Sequence, residues 1–303
     1  MKTKILAFAG TKQSGKSTAC NFIHGYQMRC YGIVDDFAIL NNGSLVVDTT
    51  IIDENGQEQQ GAATLDINRA DMEFAEWAMY SMWPYVKKYS FAAALKSICF
   101  NLFGLKHEQV YGSEAHKNQI VPHLRWENMP GVVTDKKLWT KMCGKNKDVQ
   151  GFAYHKRGPM TARDFMQYMG TDVMRRVYEP VWVNACIEDI RREEPLLAVI
   201  DDCRFQNEIE AVQSEGGKVI GLSRSPYQDS HKSERALKDN WDSFDSVIDN
   251  SEMEINEVNK EIIQLLDSWG WLGSTLSQEE MPFKKPEPES QGGIHTIKKV
   301  TTK

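Results

Sequence analysis

A chain of 303 residues, 41% hydrophobic and 26% charged, has the length and apolar content to bury a substantial core in one large domain or two small ones. Its net charge of −6 argues against broad, sequence-independent binding to nucleic acid, which needs cationic surface to neutralise phosphates, and leaves room only for a local basic groove. Six scattered cysteines without a C-x-x-C pair suggest neither a zinc site nor a disulfide scaffold, no apolar run approaches bilayer length, and residues 1–9 are too short for a signal peptide's apolar region, so the expectation is a reduced cytoplasmic protein with no membrane partner.

The first expected element is a strand over Lys4-Ile5-Leu6-Ala7-Phe8-Ala9, followed at once by Gly10-Thr11-Lys12-Gln13-Ser14-Gly15-Lys16-Ser17. This octad fills every fixed position of the phosphate-binding loop, or Walker A, pattern. Glycines let backbone N–H groups close around phosphate oxygens, Lys16 is placed to neutralise the β- and γ-phosphates of ATP, and the Ser17 hydroxyl is placed to ligate Mg²⁺. A glycine turn with an incidental lysine is the competing reading, and the strand before and helix after disfavour it. That helix is expected over Lys16–Met28, with Ala19, Phe22 and Ile23 toward the sheet.

Residues 31–70 change character. The β-prone Leu45-Val46-Val47 and Thr49-Thr50-Ile51-Ile52, the turn signal Glu54-Asn55-Gly56-Gln57 and the run at Ala63-Thr64-Leu65 predict a β-hairpin insertion on an α/β core. A helix is expected from Asp71 to Trp83, stopped by Pro84, then a short strand near Lys87–Phe91 and a helix from Ala92 to Phe103. Residues 105–158 are rich in charge and glycine with few long apolar runs, which predicts an irregular, lid-like insertion. Thr161 is the expected N-cap of a helix ending at Gly170, and another helix over Val173–Arg192 is expected to break near Pro180.

Leu196–Ile200 is a continuous apolar run, the pattern of a strand buried on both faces of a parallel sheet, and a helix from Asn207 and a strand over Lys218–Leu222 complete a βαβ unit. Ser246–Asn250 predicts a last strand and Glu252–Trp269 a last helix. Asp229-Ser230-His231-Lys232-Ser233-Glu234 is expected to start a helix rather than bind a metal, and residues 271–303 form an expected flexible tail beyond a domain spanning 1–270.

Ligands of open α/β sheets collect outside the carboxyl ends of the strands. That rule gathers the glycine loop, Asp201, Asp202, Arg204 and Arg224 on one rim, where a carboxylate can serve a metal or substrate and an arginine can stabilise a transferring phosphoryl group. For Asp201 and Asp202 an N-cap role is the alternative. Arg163, Gly170-Thr171-Asp172 and Arg175-Arg176 place cationic and polar groups at helix ends, as an anionic substrate requires, and surface arginines beside helix caps are the alternative there.

Taken in order, Gly10-x-Lys12-x-Ser14-Gly15-Lys16, Leu95-Lys96, Arg163-x-x-x-Gln167-x-x-Gly170-Thr171-Asp172, Trp182, Asp202-x-Arg204-x-x-x-Glu208 and Asp229-x-His231-x-Ser233-Glu234 resemble the deoxynucleoside monophosphate kinases of tailed bacteriophages. The resemblance implies a P-loop nucleoside monophosphate kinase-like α/β fold, with a central, mostly parallel sheet flanked by helices. It implies transfer of the ATP γ-phosphoryl group to a deoxynucleoside 5′-monophosphate for phage DNA precursors, in the host cytoplasm. Position by position, Ser14, Gly15, Lys16, Ser17 and Thr18 match the ATP loop, while Lys12, Lys96, Arg163, Gly170, Thr171, Asp172, Trp182, Asp202, Arg204 and Glu208 match the monophosphate pocket. In that assignment Lys12 and Arg163 balance the acceptor phosphate and Trp182 packs on base or sugar. Lys16, Asp202 and Arg204 are the expected catalytic residues, Gly10 and Arg224 join the ATP contacts, and a homodimer is compatible with the sequence. Two competing functions remain: a P-loop kinase acting on a hydroxymethylated base in DNA, and a nucleotide-gated protein-binding module.

Overall fold

The computed structural model describes residues 2–52, 57–69, 71–144, 149, 151–225 and 241–271. The chain divides into two compact units, the first built from Met1–Phe91 with Ile187–Lys303 and the second from Ala92–Cys186. The tail beyond residue 271 and the Asp229–Glu234 segment lie outside the described residues.

The first unit opens with β1 (Lys4–Gly10) and α1 (Lys16–Cys30), as the loop pattern requires. Strands β2 (Phe37–Ile39), β3 (Leu45–Ile52) and β4 (Glu58–Leu65) follow, then α2 (Met72–Ser81) and β5 (Val86–Tyr89). The Asp71 carboxylate caps α2 by accepting from Phe74 N–H at 3.0 Å. The expected hairpin is present, with Ile52 opposite Glu58, but β2 pairs with the other edge of β3 and makes a three-stranded antiparallel meander. The extra strand has a packing cause. Gly25 leaves a gap on α1 that the meander fills, since a Cβ there would lie 2.3 Å from the Phe37 ring and 2.8 Å from Leu45. Phe37, Leu45, Val47 and Leu65 are thereby buried in the same core as Leu6, Phe22 and Ile23.

The second unit holds α3 (Ala93–Asn101), α4 (His107–Tyr111), α5 (Glu114–Lys117), β6 (Ile120–Arg125), β7 (Val132–Val133), α6 (Lys136–Cys143), β8 (Ala153–Tyr154), β9 (Pro159–Thr161), α7 (Ala162–Gln167) and α8 (Arg175–Val177), with α9 (Val181–Glu193) beginning in it. The described residues of 105–158, a segment expected to be irregular, therefore carry short helices and strands. Leu105, Val110, Val121 and Leu124 join Cys99, Met160 and Phe165 in a separate buried core. The elements are so short that each gives only one or two residues to that core, so no apolar run marks them in sequence. Thr161 caps α7 as expected, accepting from Asp164 N–H at 3.0 Å. The helix does not end at Gly170, however: a π-helical turn over Tyr168–Met174 carries it into α8, and the chain breaks only at Tyr178–Pro180. Gly170 serves close packing there, because a Cβ would lie 2.6 Å from Leu95 Cδ2.

Returning to the first unit, the chain forms β10 (Leu197–Cys203), α10 (Gln206–Ser214), β11 (Lys218–Leu222), β12 (Ser246–Ile248) and α11 (Ile255–Ser268). Five strands pair in the order β12-β11-β1-β10-β5, every pair parallel. β1 is central and buried from Ile5 onward. The connection leaving β1 runs toward the β5 edge while the one leaving its neighbour β10 runs the other way, across β1 to β11, so the carboxyl ends of β1 and β10 form the switch point at which such sheets bind ligands.

Candidate active site

The loop after β1 is shaped by backbone that few residues adopt. Gly10 has φ +155 and a Cβ on it would meet Ser14 Oγ at 2.4 Å, while Gly15 has φ +102 at the start of α1. Lys16 is buried and its ammonium donates to the carbonyls of Gly10 at 2.8 Å and Thr11 at 2.5 Å and to Ser14 Oγ at 3.4 Å. A positive charge is thus held at the focus of the loop by groups that phosphate oxygens can replace. Asn250, which no sequence motif singles out, supports the loop from behind. Only 2% exposed, it donates to the Ser14 carbonyl at 2.8 Å and accepts from Arg224 N–H at 2.8 Å. The Arg224 guanidinium, expected among the ATP contacts, donates to the carbonyls of Asn250 at 3.0 Å and Met253 at 2.8 Å, and its own carbonyl accepts from Thr11 Oγ1 at 3.0 Å. These bonds tie the loop to the segment after β12.

The paired aspartates occupy an irregularity in β10. Ala7 is in register with Ile200 but Ala9 with Cys203, so one extra residue of β10 is accommodated across Asp201 and Asp202. Such a bulge re-aims side chains beside a site. Asp201 Oδ2 accepts from Ser17 Oγ at 3.2 Å and pairs with Lys88 Nζ at 2.7 Å. Asp202 turns toward the end of β5, accepting from Ser90 Oγ at 2.6 Å and Phe91 N–H at 3.0 Å. Asp201, rather than the Asp202 favoured from the motif, is therefore the carboxylate beside the loop. Burial is the largest influence on the Lys88 ammonium and lowers its pKa, but the Asp201 charge and hydrogen bond, together with Cys20 and Asp202 nearby, outweigh it and leave the group above its ordinary value. Beneath them on α1, burial pushes the Cys20 thiol up and His24 down to about 4. The His24 Nδ1 lies 2.8 Å from the Cys20 carbonyl, and its buried Nε2 has no hydrogen-bond partner among the described residues.

Past the bulge, Glu208 is buried and its Oε2 accepts from the N–H groups of Arg204 at 2.8 Å and Phe205 at 3.1 Å. It caps α10 and fixes the backbone from which the half-buried Arg204 projects, a role that differs from the substrate contact expected for it. Lys12 is half-buried on the loop, and Thr18 packs its hydroxyl under Gly43 of the β2–β3 turn.

In the second unit, Arg163 donates to Glu114 Oε2 at 2.6 Å and to Asn118 Oδ1 at 3.2 Å. Lys96 Nζ lies 5.3 Å from the Tyr111 ring centre. Gly170, Thr171 and Asp172 sit on the π-helical turn, an irregularity that is frequent at functional sites, and Asp172 lies 4.0 Å from Arg176. Trp182 is only 4% exposed and its indole N–H donates to the Gly170 carbonyl at 3.0 Å. It holds the turn from inside the unit, and the base-packing face expected for it is buried.

Ser17 and Asp201 offer adjacent hard oxygen donors, the kind Mg²⁺ takes, so the residues fit that ion. No helix among the described residues is long and apolar enough to cross a membrane. A relative from Acanthamoeba polyphaga mimivirus, whose name provisionally assigns it to deoxynucleotide monophosphate kinases, is 28% identical over 193 residues, covering 59% of this chain and 82% of that protein. The family model described as deoxynucleotide monophosphate kinase matches residues 87–262, from β5 into α11, leaving the glycine loop and the meander outside the match. With more than half its length matched, and a parallel sheet with the loop at its switch point, the chain belongs to the deoxynucleotide monophosphate kinase family, phosphotransferases acting on deoxynucleoside monophosphates.

Proposed function

We propose that Lys16 and the backbone of residues 10–18 hold the β- and γ-phosphates of ATP, with Mg²⁺ at Ser17 and Asp201, and that the γ-phosphoryl group passes to a deoxynucleoside 5′-monophosphate. The products are ADP and the deoxynucleoside diphosphate, a DNA precursor. The observation carrying this reading is the buried Lys16 ammonium at the focus of the loop, with the Ser17 hydroxyl donating to Asp201 beside it. Bound there, Mg²⁺ supplies positive charge to the phosphate oxygens of the donor.

The protein's own part is positioning and charge. Lys16 exchanges its carbonyl partners for phosphate oxygens and stays in place as charge shifts toward ADP. Arg204, set on backbone that Glu208 caps, stabilises charge on the transferred group, and Lys12 balances the acceptor phosphate. Asp202 fixes Ser90 and Phe91 at the end of β5. No covalent intermediate on the protein is needed. In the second unit, Lys96, Arg163 and the Gly170-Thr171-Asp172 turn carry the motif that resemblance ties to the monophosphate, and they form a separate, testable element of acceptor recognition.

The decisive measurement is ADP release from ATP and Mg²⁺ with a panel of deoxy- and ribonucleoside monophosphates. Release is expected with at least one deoxynucleotide, and Lys16→Ala is expected to reduce it to background while thermal unfolding stays cooperative. Near-normal turnover by that variant would remove the loop from the reaction.

A further inference from the structure

The Asp201 carboxylate is held from two directions, and only one of them is the phosphate loop. Ser17 Oγ donates to Oδ2 at 3.2 Å, and Lys88 Nζ reaches the same oxygen at 2.7 Å. Lys88 stands on β5 in register with Val199, so Asp201, two residues further along β10, comes within range of its flexible stem. Lys88 also donates to Asn68 Oδ1 at 2.8 Å. Asn68 is itself fixed, since Asp66 Oδ1 accepts from its backbone N–H at 2.8 Å and its side-chain amide at 3.0 Å. Asp66–Asn68 is where the chain leaves the meander. The meander's first turn meets the loop's helix at a second point, where Asn21 Nδ2 donates to the Gly43 carbonyl at 2.8 Å and Gly43 lies over Thr18.

We infer that Lys88 is a positioning residue that holds the Asp201 carboxylate at Ser17, and that the inserted meander braces Lys88 through Asn68. A carboxylate bonded to one hydroxyl keeps freedom at both its side-chain torsions. A charged hydrogen bond from a lysine that is itself tethered removes that freedom. The Lys88 and Asp201 side chains are 20% and 10% exposed, so water competes weakly for either. The insertion thus has a function at the reaction centre as well as a place in the core. The inference rests on the ATP and Mg²⁺ reading of the loop given above.

The test is calorimetric binding of ADP to the full chain with and without Mg²⁺, beside kcat and KM for both substrates. The unsubstituted protein is expected to bind ADP more tightly with Mg²⁺. Lys88→Met should lose about tenfold of that Mg²⁺-dependent gain, the scale seen when an outer-shell partner of a metal ligand is removed. Its Mg²⁺-free ADP affinity and its monophosphate KM should be unchanged while kcat falls. Asn68→Ala should show the same pattern with smaller amplitude, and Lys88→Arg should recover part of the loss by restoring the charge. A full Mg²⁺ gain in Lys88→Met, or equal losses with and without Mg²⁺, overturns the inference. If Lys88→Met does not unfold cooperatively, Asn68→Ala decides, and a full Mg²⁺ gain there overturns it. ADP affinity indifferent to Mg²⁺ in the unsubstituted protein overturns the metal reading itself, and this inference with it.

Discussion

His24 gives the clearest residue-scale consequence outside the reaction. Burial holds its imidazole neutral, with a pKa of about 4 against 6.5 when exposed. Between those values the unfolded chain takes up a proton that the folded chain refuses, so stability falls as pH drops from about 6.5 toward about 4, by at most about 1.4 kcal/mol per pH unit. Urea unfolding at pH 7.0, 5.5 and 4.5 should show this slope, and His24→Asn, whose amide can still meet the Cys20 carbonyl, should flatten it. A variant with an unaltered slope would show that other groups carry the acid sensitivity. At this scale the sequence exposed Lys16 and Ser17 through a fixed spacing, but it did not separate Asp201 from Asp202. Their division of labour depends on a strand bulge created by pairing with β1, and no local pattern encodes that.

Elements whose character is local were legible. β1, α1, the Thr161 cap and the buried run entering β10 follow from apolar spacing and capping chemistry, and each is found where expected. Elements fixed by distant packing were not. β2 is three residues long and exists because Gly25 leaves room for Phe37, and the turn at Gly170 stays helical while Trp182 donates to its carbonyl. Gly25→Val should therefore drive a side chain into Phe37 and Leu45 and destabilise the first unit by about 1–3 kcal/mol, the usual range for overpacking. Denaturant midpoints read this directly, and a midpoint equal to that of the unsubstituted protein would mean that the meander does not pack on α1 as described.

For the molecule as a whole, the family match settles reaction class, and charge bears on the rival substrate. With a net charge of −6, duplex DNA carrying hydroxymethylated bases is expected to show no salt-sensitive affinity for the protein and to accept no phosphate from ATP. Labelled phosphate appearing in such DNA, with no turnover of free monophosphates, would move the acceptor from nucleotide to polymer. The discontinuity of the first unit also bears on how the protein is made. β1 leaves the ribosome well before either of its sheet partners, since β10 and β11 begin at Leu197 or later. At synthesis rates of roughly 5–20 residues per second, that is a wait of roughly 10–40 s, during which the contiguous second unit can be completed. The phosphate loop is thus synthesised long before the strands that give it its shape, so translation pauses before β10 would prolong exposure of an unpaired apolar strand to chaperones and to aggregation.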